Sequence, residues 1–402
     1  MGALSHAISS FWYGVWIVTS ITRPLLLATF FCVALKPRAT KKKITLMINT
    51  VRFLLLSKDK KWEKLNENPA SFFSVDDDEI VVARKTVIFL RHGESTWNET
   101  FNKGDRKMFS FLIGFVPGVL LSLATEWYFL ILGQSNESWF FDSPLSSKGI
   151  SQAEGVAKFL RDTDPKYATP KEAKLITLIK AVKETNTTSS TDTTTDADKR
   201  GSTSISSRCV LVSSNLRRAI STCAIANKSR LDSQILDDKI IILQELQEAS
   251  INPDAQSISP PFGSLVTSFT DSDRVKDIYA AQTDTSLNKG NKELNSNGLK
   301  RMEAFCDLLF GVKSSDENRE KRSSSALADA NHVFCTGHSY WFRAFFKTYL
   351  PSDFHHVCKT KKLINGGMVG FTLCQTQVKI KEHVEDKYMI DPNSLVILYG
   401  GF

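Results

Sequence analysis

Four short stretches of this sequence hold residues that can handle a phosphoryl group. Arg91, His92 and Gly93 follow an apolar run at 87–90, and Arg217 and Arg218 follow another at 209–214. Glu248 comes just after 239–243, and Gly337 and His338 close the run 332–336. Two guanidinium groups and one imidazole can surround a tetrahedral dianion with charge-assisted hydrogen bonds. A second imidazole can attack phosphorus through a ring nitrogen. A carboxyl group can protonate the departing oxygen. Such chemistry needs neither a dense carboxylate cluster nor a histidine-rich metal site, so no metal or organic cofactor is expected. Each residue alone could be an ordinary turn or core residue. What sets them apart is that all four groups recur at the same position of a strand-to-helix unit.

The elements that must position them are legible as hydrophobic patterns. Strands are expected at 81–90, 208–213, 239–243, 332–336, 368–373 and 395–399, the first ending in the continuous apolar run of a strand buried on both faces. Helical periodicity links Ile150, Ala153, Val156 and Leu160, and again Leu299, Met302, Phe305 and Leu309. Strands alternating with helices of this length predict a three-layer α/β/α sandwich with a mostly parallel central sheet. Ligands of such sheets bind beyond the carboxyl ends of the strands, which is where the four groups fall.

The motifs carry a family resemblance. The run from Arg91 to Asn98, RHGESTWN, resembles the signature of the histidine phosphatase superfamily, the clan of cofactor-dependent phosphoglycerate mutases and fructose-2,6-bisphosphatases. Asp142-Ser-Pro-Leu-Ser-Ser-Lys-Gly149 with Gln152 and Ala153, then Ser213 to Ala219 with Thr222, then Gly337-His338-Ser339, are similar to its later motifs and occur in the same order. The resemblance spans most of 80–402 and implies a phosphoglycerate mutase-like fold. It implies that His92 is the nucleophile, forming a phosphohistidine, and that Arg91, Arg218 and His338 complete the phosphate pocket. Asn98 is similar to a further phosphate contact, and Ser95 lies where the loop continues around the phosphate. The acid is expected at Glu248 or Glu245, which sit in two overlapping L-x-E frames. Glu248 is preferred because Asn252, four residues on, tolerates the left-handed backbone that the related pattern gives to glycine.

The activity expected is hydrolysis of a phosphomonoester. A phosphoglycerate mutase would use the same groups, but 251–261 does not resemble the mutases' basic substrate-binding stretch. A non-enzymatic membrane scaffold of the same fold is a third reading, disfavoured because no catalytic position is substituted. Nucleic acid is not an expected partner, since no recognisable RNA- or DNA-binding module is present.

The rest of the chain points to a membrane. Residues 11–35 are apolar apart from Arg23, which is followed at once by Pro24. This length can cross a bilayer, as a kinked or re-entrant anchor, and a secretory signal is the other reading. Residues 36–64 hold ten basic and two acidic side chains, a surplus of +8 that equals the net charge of all 402 residues. Within that tract 44–56 predicts an amphipathic helix, and basic flanks beside apolar segments read as a cytosolic membrane surface. A solvated linker is the plainer alternative. A second apolar stretch, 108–132, has Pro117 near its middle and Glu126 as its one charge. Because His92 and Asp142 belong to one domain, a single crossing between them is forbidden. The expectation is two short helices forming a membrane-surface hairpin or a lid, with a buried helix pair as the alternative.

The expected organisation is thus a membrane-associating segment at 1–79 and a phosphatase domain at 80–402, with the catalytic part in the cytoplasm. The domain carries an apolar insertion at 102–140 and polar, disordered insertions at 183–207 and 313–326. Seven cysteines without a C-x-x-C argue against a disulfide scaffold or a zinc ribbon.

Overall fold

A computed structural model describes residues 20, 23, 34–59, 80–103, 106–180, 209–233, 238–312, 323–380 and 383–402. Most of the apolar stretch 11–35, the whole of 183–207 and residues 313–322 lie outside the described residues. The strands are β1 (Ile80–Arg91), β2 (Cys209–Ser214), β3 (Ile240–Leu243), β4 (Thr283–Asp284), β5 (His332–Gly337), β6 (Met368–Ile380), β7 (His383–Ile390) and β8 (Val396–Tyr399). The helices are α1 (Pro37–Leu56), α2 (Thr96–Phe101), α3 (Met108–Leu132), α4 (Ser147–Asp162), α5 (Pro170–Lys180) and α6 (Arg217–Ala226). They continue with α7 (Lys228–Asp232), α8 (Asp273–Ala281), α9 (Gly298–Phe310), α10 (Ser323–Asp329) and α11 (Ser339–Tyr349).

The strands form one sheet in the order β4-β3-β2-β5-β1-β6-β7, with β8 also paired to β6. β4, β3, β2, β5 and β1 are mutually parallel, and β6 runs antiparallel to β1. Alternation along β1 divides the core into two layers. Val87 and Phe89 pack with Met302 and Phe305 of α9 and with Trp341 and Phe345 of α11. Ile88 and Leu90 pack with Val156 of α4, Ile176 of α5, Ile220 of α6 and Ile278 of α8. This is the expected three-layer α/β/α sandwich, with a continuous apolar strand between two helical faces.

Helix ends follow their local chemistry. Ser146 and Asn297 cap α4 and α9 with side-chain oxygens that accept backbone N–H bonds. Gly311 stops α9 at φ 68°, a left-handed conformation that glycine adopts freely. Two boundaries differ from expectation. β6 continues to Ile380 and turns into β7, a hairpin whose second strand lacks a continuous apolar run because it pairs only with β6. Residues 323–326, expected within a disordered insertion, begin α10.

The larger correction concerns 108–132, which is neither a hairpin nor a core pair. It is one helix of 25 residues, long and apolar enough to cross a membrane, in which only Ser122 and Phe129 are buried. At 1.5 Å per residue α3 extends about 37 Å. Pro117 does not break it. An interior proline costs about 3 kcal/mol, and contacts of both halves with the domain outweigh that. Phe115 meets Phe101 of α2 at 6.2 Å between ring centroids, and Ser122 Oγ lies 3.1 Å from Thr100 Oγ1. Phe129 meets Phe269 at 4.9 Å, and Glu126 accepts from the Trp139 N–H at 2.6 Å.

α1 lies antiparallel to α3. Lys36 packs against Gly133 at the end of α3, and Lys43 pairs with Glu126 at 2.7 Å. Both helices turn large apolar side chains outward, among them Met47 and Leu55 of α1 and Phe109, Leu112 and Val116 of α3. The tract 36–59 is also joined to the domain, so the packing does not follow a boundary at residue 79. Phe53 is buried, and Asp59 is wholly buried between Lys292 and Arg301.

Phe89 is the hub of one core layer: its ring stacks on Phe342 at 4.1 Å and meets Trp341, Phe345, Phe346 and Phe371 edge-on. Phe89→Ala should lower stability by about 3–5 kcal/mol, read as a shift of the urea midpoint with an unchanged slope.

Candidate active site

The first segment of the site is set by sheet register. Arg91 pairs with Gly337, and the His92 N–H donates to the Gly337 carbonyl at 3.0 Å. This brings the His92 and His338 rings together at 4.9 Å between centroids. The loop after His92 is then pinned from several sides. Gly93 N–H donates to Thr222 Oγ1, and Glu94 N–H donates to Gln152 Oε1. The backbones of Gly93 and Gly149 approach so closely that a Cβ on either would overlap the other loop. The Asn365 amide holds the His92 carbonyl at 3.0 Å, and Gly366, at φ 74°, donates its N–H to the Arg91 carbonyl.

His92 itself is oriented by a 2.6 Å contact between Nδ1 and the Gly93 carbonyl. A carbonyl can only accept, so Nδ1 carries the proton and Nε2 keeps its lone pair. That nitrogen receives the Arg218 Nε–H at 3.3 Å. Arg218 is anchored by Asp254, through the carbonyl oxygen at 2.5 Å and the carboxylate at 3.3 Å. Its neighbour Arg217 is used differently. Arg217 is wholly buried and donates to the carbonyls of Ser138, Phe141 and Asp142, tying the return from α3 to the start of α6. Asp142 completes this clasp: its carboxylate accepts the N–H groups of Arg217 and Ile258, at a φ of 47°. Aspartate tolerates that left-handed backbone better than most residues.

Glu248 arrives on the loop after β3. Its Oε1 accepts the Trp341 N–H in the first turn of α11 at 3.1 Å and the Ala249 N–H at 3.0 Å. A helix N-terminus thereby holds the carboxyl group in place. His338 Nε2 lies 2.9 Å from Ser214 Oγ at the end of β2. Arg91, His92, Asn98, Arg218 and Glu248 line a single cavity of about 150 Å³, with Trp97, Asn102, Ser250, Asn252, Asp254, Tyr340 and Lys362 around it.

Five of the seven expected site residues therefore share one cavity wall, and His338 stands beside it against His92. Ser95 does not. Its Oγ accepts the Asn98 N–H as the cap of α2, which positions Asn98 and leaves Ser95 outside the lining. Glu245 is also outside it, on a 3₁₀ turn whose carbonyl accepts the Trp341 indole N–H. Of the two glutamates Glu248 lines the cavity, but not for the reason the sequence suggested. Asn252 is extended, at φ −67°, so no left-handed residue is needed there. Asp254 was missed because the stretch 251–261 carries no recognisable motif. The glycines at 366 and 367 do not line the cavity; they support the backbone of Arg91.

No protein-family model matches the chain, and no curated protein matches its sequence. Among solved structures, the chain is similar to a mycobacterial glucosyl-3-phosphoglycerate phosphatase, with 13% identity, 72% of this chain and 91% of that one covered, and a TM-score of 0.30. It is similar to a mycobacterial hydrolase with 12% identity, 75% and 100% covered, and a TM-score of 0.30. A phosphoserine phosphatase from Entamoeba histolytica, a histidine-to-alanine mutant in complex with phosphoserine, aligns with 14% identity, 77% and 99% covered, and a TM-score of 0.26. At these values the likeness carries no argument, and the site is read from its own geometry.

Electrostatics keep both imidazoles neutral. Burial, then Arg218 and Arg91, push His92 well below its ordinary value of 6.5, with the Gly93 carbonyl opposing. Burial, then Arg218 and His92, do the same to His338. Burial lowers Arg91 to about 10, which leaves it a cation at neutral pH. Burial raises the Asp254 carboxyl, with Arg218 opposing. A histidine whose folded pKa is depressed binds its proton more readily in the unfolded chain. The stability due to its neutral state is full above 6.5 and is lost as pH falls below that value. Melting of the wild type and of His92→Asn, compared from pH 7.5 to pH 5, should show the difference shifting in favour of the variant as pH falls.

Proposed function

We propose that the chain is a histidine phosphatase, hydrolysing a phosphomonoester through phospho-His92 at a membrane surface. The observation that carries this reading is the His92 Nε2 lone pair, fixed by the Gly93 carbonyl, at a cavity shared with Arg91, Arg218 and Glu248. Arg91 and Arg218 bind the dianion, and the Arg218 Nε–H that now rests on Nε2 is drawn to a phosphate oxygen. Nε2 then attacks phosphorus while the bond to the leaving oxygen breaks and the Glu248 carboxyl gives that oxygen its proton. The two cations oppose the charge spread over the equatorial oxygens. In the second half a water attacks phosphorus, the Glu248 carboxylate takes its proton, the N–P bond breaks, and inorganic phosphate leaves. His338 serves as a neutral donor beside the phosphohistidine.

The membrane part of the reading is supported by α1 and α3. Both helices expose large apolar side chains, and α1 lies within the tract whose positive surplus equals the net charge of the chain. Because α3 touches the domain at its middle and near its end, it suits the interface plane rather than a crossing. The cavity and α3 are linked through α2, which carries Trp97 and Asn98 at the cavity and Thr100 and Phe101 at α3. A phosphate ester held at the lipid headgroup level can therefore reach His92.

Purified full-length chain should hydrolyse p-nitrophenyl phosphate, be inhibited by vanadate, and give a phosphoenzyme on acid quench. His92→Ala should lose turnover and phosphoenzyme together; retained hydrolysis in that variant would refute the mechanism. Glu248→Gln should slow turnover of phenyl phosphate by roughly 10²–10⁴-fold, whereas Glu245→Gln should leave it near the wild-type rate. Lysine at Phe109, Leu112 and Val116 together should release the protein from vesicles containing anionic lipid, as read by sedimentation, without lowering p-nitrophenyl phosphate turnover.

A further inference from the structure

The basic tract contains a carboxylate that does not behave as part of it. Asp59 comes three residues after the end of α1 and is wholly buried, as is its partner Lys292. Asp59 Oδ2 accepts from Lys292 Nζ at 2.7 Å, and Oδ1 accepts from Arg301 Nη2 at 2.7 Å. The same cations grip the loop that carries Glu248. Lys292 Nζ donates to the carbonyls of Glu248 at 2.5 Å and Ser250 at 2.6 Å, and Arg301 Nη1 donates to the Gln247 carbonyl at 2.7 Å. The three protons of the ammonium thus go to Asp59, Glu248 and Ser250. Its remaining neighbour is the ring of Phe53 in α1, at 5.1 Å. The link from helix to carboxylate is short and tied: Ser57 N–H donates to the Phe53 carbonyl and Lys58 N–H to the Leu294 carbonyl.

We propose that Asp59 is a positioning residue for Glu248, making the membrane-facing N-terminal segment part of the catalytic unit. The reasoning is electrostatic. Lys292 and Arg301 lie side by side in the interior, and two buried cations repel unless an anion stands between them. Asp59 is that anion, and with it in place both cations can spend their other donors on the carbonyls of 247, 248 and 250. Burial and Arg301 lower Lys292 to about 8, with Asp59 and Glu248 opposing, so loss of Asp59 favours the neutral amine and loosens its hold on those carbonyls. Glu248 then leaves the cavity wall, while Arg91, His92 and Arg218, held by other elements, do not move.

The proposal rests on the phosphatase reading, in which Glu248 protonates the leaving group. It makes a prediction that a general loss of folding would not. In the full-length chain, Asp59→Asn should slow phenyl phosphate, whose leaving group needs the proton, at least tenfold more than p-nitrophenyl phosphate, whose leaving group does not. Asp59→Glu, which restores the charge, should recover most of that difference. Amide hydrogen exchange should rise at 247–252 and at Trp341, whose N–H donates to Glu248 Oε1, and stay unchanged in β1 and in the rest of α11. If Asp59→Asn does not fold, Arg301→Lys keeps both charges but replaces the two separate nitrogens that reach Asp59 and the Gln247 carbonyl with one, and should show the same bias on a smaller scale. Equal slowing of both esters, or unchanged exchange at 247–252, would overturn the role of Asp59. If the wild type hydrolyses neither ester, the phosphatase reading fails, and the exchange comparison still decides whether Asp59 holds the loop.

Discussion

The pairing of Arg91 with Gly337 is the contact on which the site depends. Side chains alternate across a strand, so a slip of one residue between β1 and β5 would turn Phe89 out of its layer. It would also part the two histidines. Because the register is secured by the core on both faces, the site inherits its geometry from apolar packing and not from its own charges. The charges would not assemble it unaided: Arg91, Arg218 and two imidazoles are mutually unfavourable neighbours, as the depressed histidines show. The energy of the sheet holds these cations together, with the carboxylates of Asp254 and Glu248 beside them.

Much of this was legible from the sequence for a simple reason. The candidate site groups follow strand ends, and strands buried on both faces advertise themselves as apolar runs. Short-range spacing also carried information: Gly93, Gly149, Gln152 and Thr222 look unremarkable singly, yet each holds the loop after His92. What was hidden depended on distance in the chain or on which neighbour points where. Arg217 and Arg218 are adjacent and chemically identical, and only the fold gives one to carbonyls and the other to the cavity. Ser95 lies in the motif itself, but its hydroxyl is consumed by a helix cap. Pro117 suggested a break that packing on both halves overrides. Asp59 was invisible because one of two acids among ten basic residues reads as surface, and its two partners lie far along the chain.

The buried cations share one device. Lys85 gives its protons to the carbonyls of Leu327, Ala328 and Ala330 at the C-terminal end of α10, Arg217 to those before α4, and Lys292 to those around Glu248. Each stands where irregular backbone would otherwise leave carbonyl oxygens buried without donors. Long basic side chains are therefore structural mortar in this domain, and the segments held by Arg217 and Lys292 are ones that carry or border the cavity.

The order of the sheet has a consequence for how the molecule is made. β1 is the first strand to leave the ribosome, yet its neighbours β5 and β6 come from the far end of the chain. At typical synthesis rates, roughly 15–60 s separate the completion of β1 from that of β6. Until β5 is made β1 has two open edges, and α3, made soon after β1, has no complete domain to lie on. A nascent chain of this design exposes the apolar faces of α1 and α3 and an unpaired apolar strand until the later strands arrive. The apolar face that distinguishes the finished protein is thus also the feature that its biosynthesis must protect first.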